Sequence, residues 1–273
     1  MVTPERGLSR ALNVTTIGSA SSEQTLVLAH GFGTDQSIWE KIVPLLTPHY
    51  RLVLFDWPFS GAVHDPTTRY SPEKYDSFQA FADDLIDLMT EMDLKAITFA
   101  GHSMSAMIGC IASVKQPHLF KKLILVCGSP RYLNTEGYEG GFTEKDIKQL
   151  LTSIETNYED WVYSFSSMAI DPNDAVSREK FQKSLLRMGG ETALPLAKTV
   201  FLSDNREWLE KVEIPCTVIQ PSYDMAVPHS VALYLAKKIK GKCDLEVIEA
   251  VGHFPQLTAH LKLVEVLKAA LLE

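Results

Sequence analysis

The chain has 273 residues, enough for one large domain or for a core domain carrying an insert. Hydrophobic residues make up 45% and charged residues 22%, with 15 Gly and 14 Pro, which excludes disorder, collagen-like repeats and coiled coil as the dominant state. The net charge of -8 comes without a Lys/Arg cluster, so no nucleic acid is expected as a partner.

No apolar run reaches the roughly 18 residues that span a bilayer, so no membrane association is expected. Residues 1–20 are broken by Pro4, Glu5, Arg6 and Arg10 and hold no apolar stretch of the kind a secretory signal needs. Residues 25–29, 52–55, 97–100 and 123–127 are short continuous apolar runs, the pattern of parallel strands covered on both faces. Between the second and third runs, Phe78, Phe81, Leu85, Leu88, Met89 and Met92 mark one apolar helix face, with Asp76 and Ser77 as capping candidates. Further on come a strand at 216–219, a helix at 230–239, a strand at 245–248 and an amphipathic helix from about Leu257. This alternation predicts a doubly wound α/β fold with a mostly parallel sheet.

The rhythm breaks from Gly128 to Pro215, where no strand is predicted. Helical spacings at Ile147, Leu150, Leu151, Ile154 and at Phe181, Leu185, Met188 are punctuated by Gly140-Gly141, Asp171-Pro172-Asn173 and Gly189-Gly190. The segment is rich in aromatic residues. It reads as a helical insert that packs its own small core and roofs a pocket over the strands' C-terminal ends. Cys110, Cys127, Cys216 and Cys243 are widely spaced, and they read as reduced residues of an intracellular protein.

The chemistry centres on Gly101-His102-Ser103-Met104-Ser105, which runs straight from a strand into a helix. A serine on such a turn is lifted out of the sheet with Oγ exposed, and the strained turn demands small residues two positions either side. Gly101 meets that demand; Ser105 stands where a second glycine is usual, and is still small. A serine hydroxyl needs a base and a group to orient that base. Asp224 and His253 each follow a predicted strand, in the order serine, acid, histidine, so Asp224 would orient His253 and His253 would take the Ser103 proton. For the oxyanion, the glycine-containing turn His30-Gly31-Phe32-Gly33-Thr34 and the residue after the nucleophile offer the amides of Phe32 and Met104.

A competing reading takes Gly31-x-Gly33 as a dinucleotide fingerprint with Asp56 as ribose partner, but position 36 is Gln where a third glycine is needed. His30 and His102 flank the site and read as structural. His49, His64, His118, His229 and His260 read as surface residues, and Asp171 and Asp174 fit a polar turn. No metal site and no cofactor are expected.

The runs 30–37 and 101–109, with Ser129-Pro130-Arg131-Tyr132 and Gly140-Gly141-Phe142, resemble the plant strigolactone and karrikin receptor family of α/β-hydrolases and its bacterial RsbQ-type relatives. Phe55-Asp56-Trp57-Pro58-Phe59-Ser60-Gly61-Ala62, which departs from the turn of the established receptors, and Met104 resemble the divergent third plant branch, the DLK paralogues. The resemblance implies an α/β-hydrolase core at 1–130 and 212–273, with a four-helix V-shaped lid at 131–211. It implies that Ser103, Asp224 and His253 are the family triad, and that Phe32, Tyr132, Phe142, Leu150, Trp161, Phe165, Phe181, Phe201 and Ala226 line the pocket. Trp57 and Phe59 would either alter the pocket mouth or lie beneath a neighbouring helix. It further implies slow hydrolysis of butenolide-bearing lactones and a fragment retained on the serine or histidine. A lid that then recruits an F-box protein and repressor targets, in the cytoplasm and nucleus, is also implied. A monomer is expected. Two other readings stay open: a general carboxylesterase, and a butenolide-scavenging protein without a signalling role.

Overall fold

The computed structural model describes residues 7–18, 24–64 and 70–272. Its centre is a sheet of strands β1 (Thr15–Ile17), β2 (Thr25–Ala29), β3 (Arg51–Phe55), β4 (Ile97–His102), β5 (Phe120–Val126), β6 (Cys216–Tyr223) and β7 (Cys243–Val251), in the order β1-β3-β2-β4-β5-β6-β7. All neighbours run parallel except β1, which pairs antiparallel with β3. The predicted doubly wound architecture is present. All six residues of β4 are buried, which is why that strand carries no polar alternation.

Helices α1 (Phe78–Glu91) and α2 (Met104–Lys115) pack on each other, and α2 also packs on β4 and β5. Four lid helices lie between β5 and β6: α3 (Glu144–Thr156), α4 (Tyr158–Ala169), α5 (Ala175–Met188) and α6 (Gly190–Leu202). Helix α7 (His229–Lys238) follows β6, and α8 (His260–Leu272) follows β7. Among the described residues no helix is long and apolar enough to cross a membrane.

Local chemistry sets the lid's corners. Thr143 and Asp146 form a reciprocal capping box at the start of α3. The side chains of Asn157 and Asp174 cap α4 and α5. The chain leaves α5 through Gly189 at φ +80°, a left-handed conformation that suits glycine. Arg131 and Asp204 pair where the lid begins and ends, and Asn205 N–H donates to Pro130 O at 2.8 Å.

The structure differs from the sequence reading in several places. Strand β1 was not expected: it is three residues long and only half-buried, so it shows no apolar run. Strand β6 continues to Tyr223, beyond the 216–219 expected, and Asp224 follows it directly. The last helix does not start near Leu257; a single turn, Pro255–Thr258, ends at Ala259 (φ -135°) before α8 begins at His260. Cys127 lies just past β5 with φ +52°, outside the strand.

Candidate active site

Ser103 occupies the junction of β4 and α2 at φ +58° and ψ -123°, a strained conformation for a residue with a side chain. Its N–H is anchored to Val126 O at 2.8 Å. A Cβ on Gly101 would come within 2.5 Å of the Ser105 backbone, so the turn closes only with glycine there. A Cβ on Gly31 would stand 2.9 Å from Ser103 Cβ, which shows how closely the loop after β2 approaches the serine.

Ser103 Oγ lies 2.9 Å from His253 Nε2, and His253 Nδ1 lies 2.7 Å from Asp224 Oδ2. With the Nδ1 proton donated to the carboxylate, Nε2 is left as an acceptor for the serine hydroxyl. The Asp224 carboxylate also accepts from the N–H groups of Ala226 at 2.8 Å and Val227 at 3.2 Å, so it cannot rotate away from the ring. All three side chains are buried.

The two expected oxyanion donors come from different elements. Met104 is the first residue of α2, where helix N–H groups have no partner within the helix and the helix dipole is positive. Phe32 follows Gly31 in the turn packed against Ser103.

Phe142, Leu150, Trp161 and Phe165 line a cleft of about 590 Å³ between α3 and α4, with Met168 and Met225 at its walls. Phe32 meets Trp161, Phe165 and Phe201 edge-on with ring centroids 6.3 to 6.4 Å apart, which links that cleft to the loop beside the serine. Tyr132 packs on Phe201 at 5.1 Å. Phe181 packs on Phe254 at 4.5 Å and on Phe165 of the cleft at 6.0 Å, and it also lines a second cavity with Asp35, Ser184 and Arg187. Ala226 is buried, and its placement is set by the bond from its N–H to Asp224.

Several features of the site were not read from the sequence. The Tyr132 hydroxyl stands 3.3 Å from Ser103 Oγ, and burial pushes its ionisation well above the usual phenol range, so it stays protonated. His102 Nε2 bonds to His253 O at 2.8 Å; burial, then the neighbouring His253, keep the His102 ring well below its ordinary value. The Cys127 thiol is pushed up by burial and by the Asp224 carboxylate. No periodicity marks these contacts, because each joins distant segments.

His102, Cys127 and His253 offer ligand atoms within 4.8 Å of one another. Both His253 nitrogens are committed to Asp224 and Ser103, and His102 Nε2 to His253 O, so a metal there would have to dismantle the relay. Asp56 accepts from Gln36 N–H at 2.8 Å and from Asn13 Nδ2 at 3.0 Å, which leaves it no freedom to hold a ribose. Trp57 and Phe59 are buried against Phe81 of α1, not at the pocket mouth.

A family model described as alpha/beta hydrolase fold matches residues 24–259. The chain is 39% identical over 267 residues to a strigolactone esterase of Arabidopsis thaliana, covering 98% of each chain. It is 40% identical over 253 residues to a karrikin insensitive 2 receptor of Petunia hybrida, covering 92% of this chain and 91% of the other. Among solved structures, a hydrolase from Oleispira antarctica superposes with a TM-score of 0.91 at 27% identity, covering 96% of this chain and 95% of that one.

Proposed function

Since the chain belongs to the alpha/beta hydrolase fold family, within the group of strigolactone esterases and karrikin receptors, we propose that it is a serine hydrolase that binds and slowly cleaves butenolide-bearing lactones. The observation that carries this reading is the continuous Ser103–His253–Asp224 relay, at 2.9 and 2.7 Å.

In this reading Ser103 Oγ gives its proton to His253 Nε2 as it attacks the ester or lactone carbonyl. Asp224 holds the ring in the productive tautomer and stabilises the imidazolium. The N–H groups of Phe32 and Met104 receive the charge that forms on the carbonyl oxygen. His253 then returns the proton to the leaving oxygen, and a water activated by the same ring releases the acyl group from Ser103. The cleft between α3 and α4, where Phe142, Leu150, Trp161 and Phe165 face polar side chains such as Gln149, Ser153 and Asp160, supports a ring-bearing substrate with both apolar and polar groups. Phe32, Trp161, Phe165, Phe142, Phe201 and Tyr132 supply the flat apolar walls, with Leu150 beside them.

The signalling half of the proposal rests on the relatives. A ligand or retained fragment that contacts one lid arrangement better than another shifts the lid toward it, and that arrangement recruits an F-box protein and repressor targets.

Intact-protein mass spectrometry during incubation with a synthetic butenolide ester, with products counted and Ser103→Ala as control, tests the reading. Few products with a lasting Ser103-dependent mass increase support a single-use receptor. Many products without one support an ordinary carboxylesterase. Wild-type turnover in Ser103→Ala, where a loss of about three orders of magnitude or more is expected, would refute the triad.

A further inference from the structure

Ser105, two residues after the nucleophile, is fully buried, and its hydroxyl donates to the carbonyl of His30. Trp57, fully buried in the loop after β3, sends its indole Nε1–H to the same two groups: 3.0 Å to His30 O and 2.9 Å to Ser105 Oγ. Trp57 also donates its backbone N–H to His30 Nε2 at 2.9 Å. That bond makes Nε2 an acceptor and leaves the ring proton on Nδ1, which donates to Gly31 O at 3.0 Å. Thr34 Oγ1–H donates to Gly31 O as well, at 2.8 Å.

Gly31 O and Phe32 N–H belong to one peptide unit. In a planar trans peptide the N–H points opposite to the carbonyl. Two donors on Gly31 O therefore hold the Phe32 N–H facing away from His30, and polarise it toward a stronger donor. The His30 carbonyl one step earlier is clamped by a side chain from the helix that Ser103 heads and by one from the loop after β3.

We propose that Trp57 and Ser105 are positioning residues for the oxyanion site, acting through His30 to fix the Gly31–Phe32 peptide against the nucleophile turn. The proposal rests on the reading of Phe32 as an oxyanion donor. Serine where glycine is usual and tryptophan in an atypical turn are then two halves of one device, since the hydroxyl and the indole converge on the His30 carbonyl and bond to each other. Neither residue lines the cleft between α3 and α4.

The test uses Trp57→Phe, which keeps an aromatic ring and loses Nε1–H, and Ser105→Ala, with Ser103→Ala as the reference. Hydrolysis of p-nitrophenyl acetate is measured beside inhibition by phenylboronic acid, whose tetrahedral serine adduct mimics the transition state. Each variant is expected to lower kcat about tenfold, less than outright loss of a donor costs, with KM unchanged. The inhibition constant of phenylboronic acid should rise by the same factor. Wild-type kcat in both variants, with Ser103→Ala inactive, would overturn the proposal and leave the triad standing. A raised KM with kcat and boronic-acid inhibition unchanged would also overturn it, because a purely structural role moves the pocket and not the oxyanion. Wild-type activity in Ser103→Ala would remove the underlying reading as well.

Discussion

Arg187 of lid helix α5 forms an ion pair with Asp35 of the loop that follows β2, so a residue of the roof is tied to the loop beside the nucleophile. Ser184 Oγ adds a bond to the same carboxylate at 3.2 Å, and Lys180 Nζ donates to Ser37 O at 2.8 Å. Asp35 is also the cap of the turn Gln36–Trp39, accepting from Ser37 N–H at 2.9 Å. Burial alone would raise this carboxyl; the Ser37 hydrogen bonds and the Arg187 charge outweigh it, and the net value lies below the ordinary 3.8.

A depressed folded value means the stabilisation is complete above the unfolded value and is lost as the pH falls through the folded one. Asp35→Asn is therefore expected to cost about 1 to 3 kcal/mol at pH 7. The difference from wild type should shrink steadily as the pH is lowered below about 4, where the native carboxyl also begins to protonate. Urea unfolding at a series of pH values measures this. A gap that stays constant down to pH 2 would show that Asp35 contributes through packing rather than charge.

Trp161 stacks on Phe165 at 4.9 Å and on Tyr158 at 5.6 Å while meeting Phe32 edge-on. It walls the cleft and makes no contact with the relay. Trp161→Ala should weaken binding of a large apolar lactone about tenfold or more, since a buried indole contributes some kcal/mol of apolar contact. Turnover of a small activated ester should change less than about threefold. Calorimetric titration beside p-nitrophenyl acetate kinetics separates the two; equal losses in both would make Trp161 a folding residue.

Gly109 of α2 packs directly against Phe99 of β4. A Cβ there would stand 2.5 Å from a ring carbon of Phe99, which is itself fully buried. The rings of Phe99 and Phe120 already meet edge to face at 6.2 Å, so Phe99 has little space to yield. Gly109→Ala should destabilise the protein by about 1 to 3 kcal/mol through overpacking, despite the better helix propensity of alanine. Thermal and urea unfolding read this directly, and a stabilised variant would show that Phe99 turns aside.

The relay residues are legible in the sequence because each sits at a strand end and their chain order is serine, acid, histidine, so local pattern and topology agree. The buried parallel strands announced themselves through continuous apolar runs. What escaped notice was of a different kind. Strand β1 is short and half-exposed, with nothing for periodicity to detect. The bond between Trp57 and Ser105 spans 48 positions, and no local rule pairs an indole with a hydroxyl at that distance. Tyr132 was placed among the pocket walls, while the position of its hydroxyl beside Ser103 depends on how the loop after β5 folds back. Phe181 packs on both Phe165 and Phe254, and the apolar spacing of α5 does not say which cavity such a residue lines.

The main chain also joins the roof to the base. His253 N–H donates to Ala169 O at 2.7 Å, and Ile170 forms a bridge with Gly252, whose positive φ lets the two segments meet. Since this seam is made of peptide groups, it is indifferent to which side chains the lid carries. The aromatic walls can be exchanged one by one to admit a ligand of another shape, and the imidazole keeps its address. The architecture thus separates the walls of the cleft from the residues beneath them, which lets one hydrolytic site serve esters of different shape.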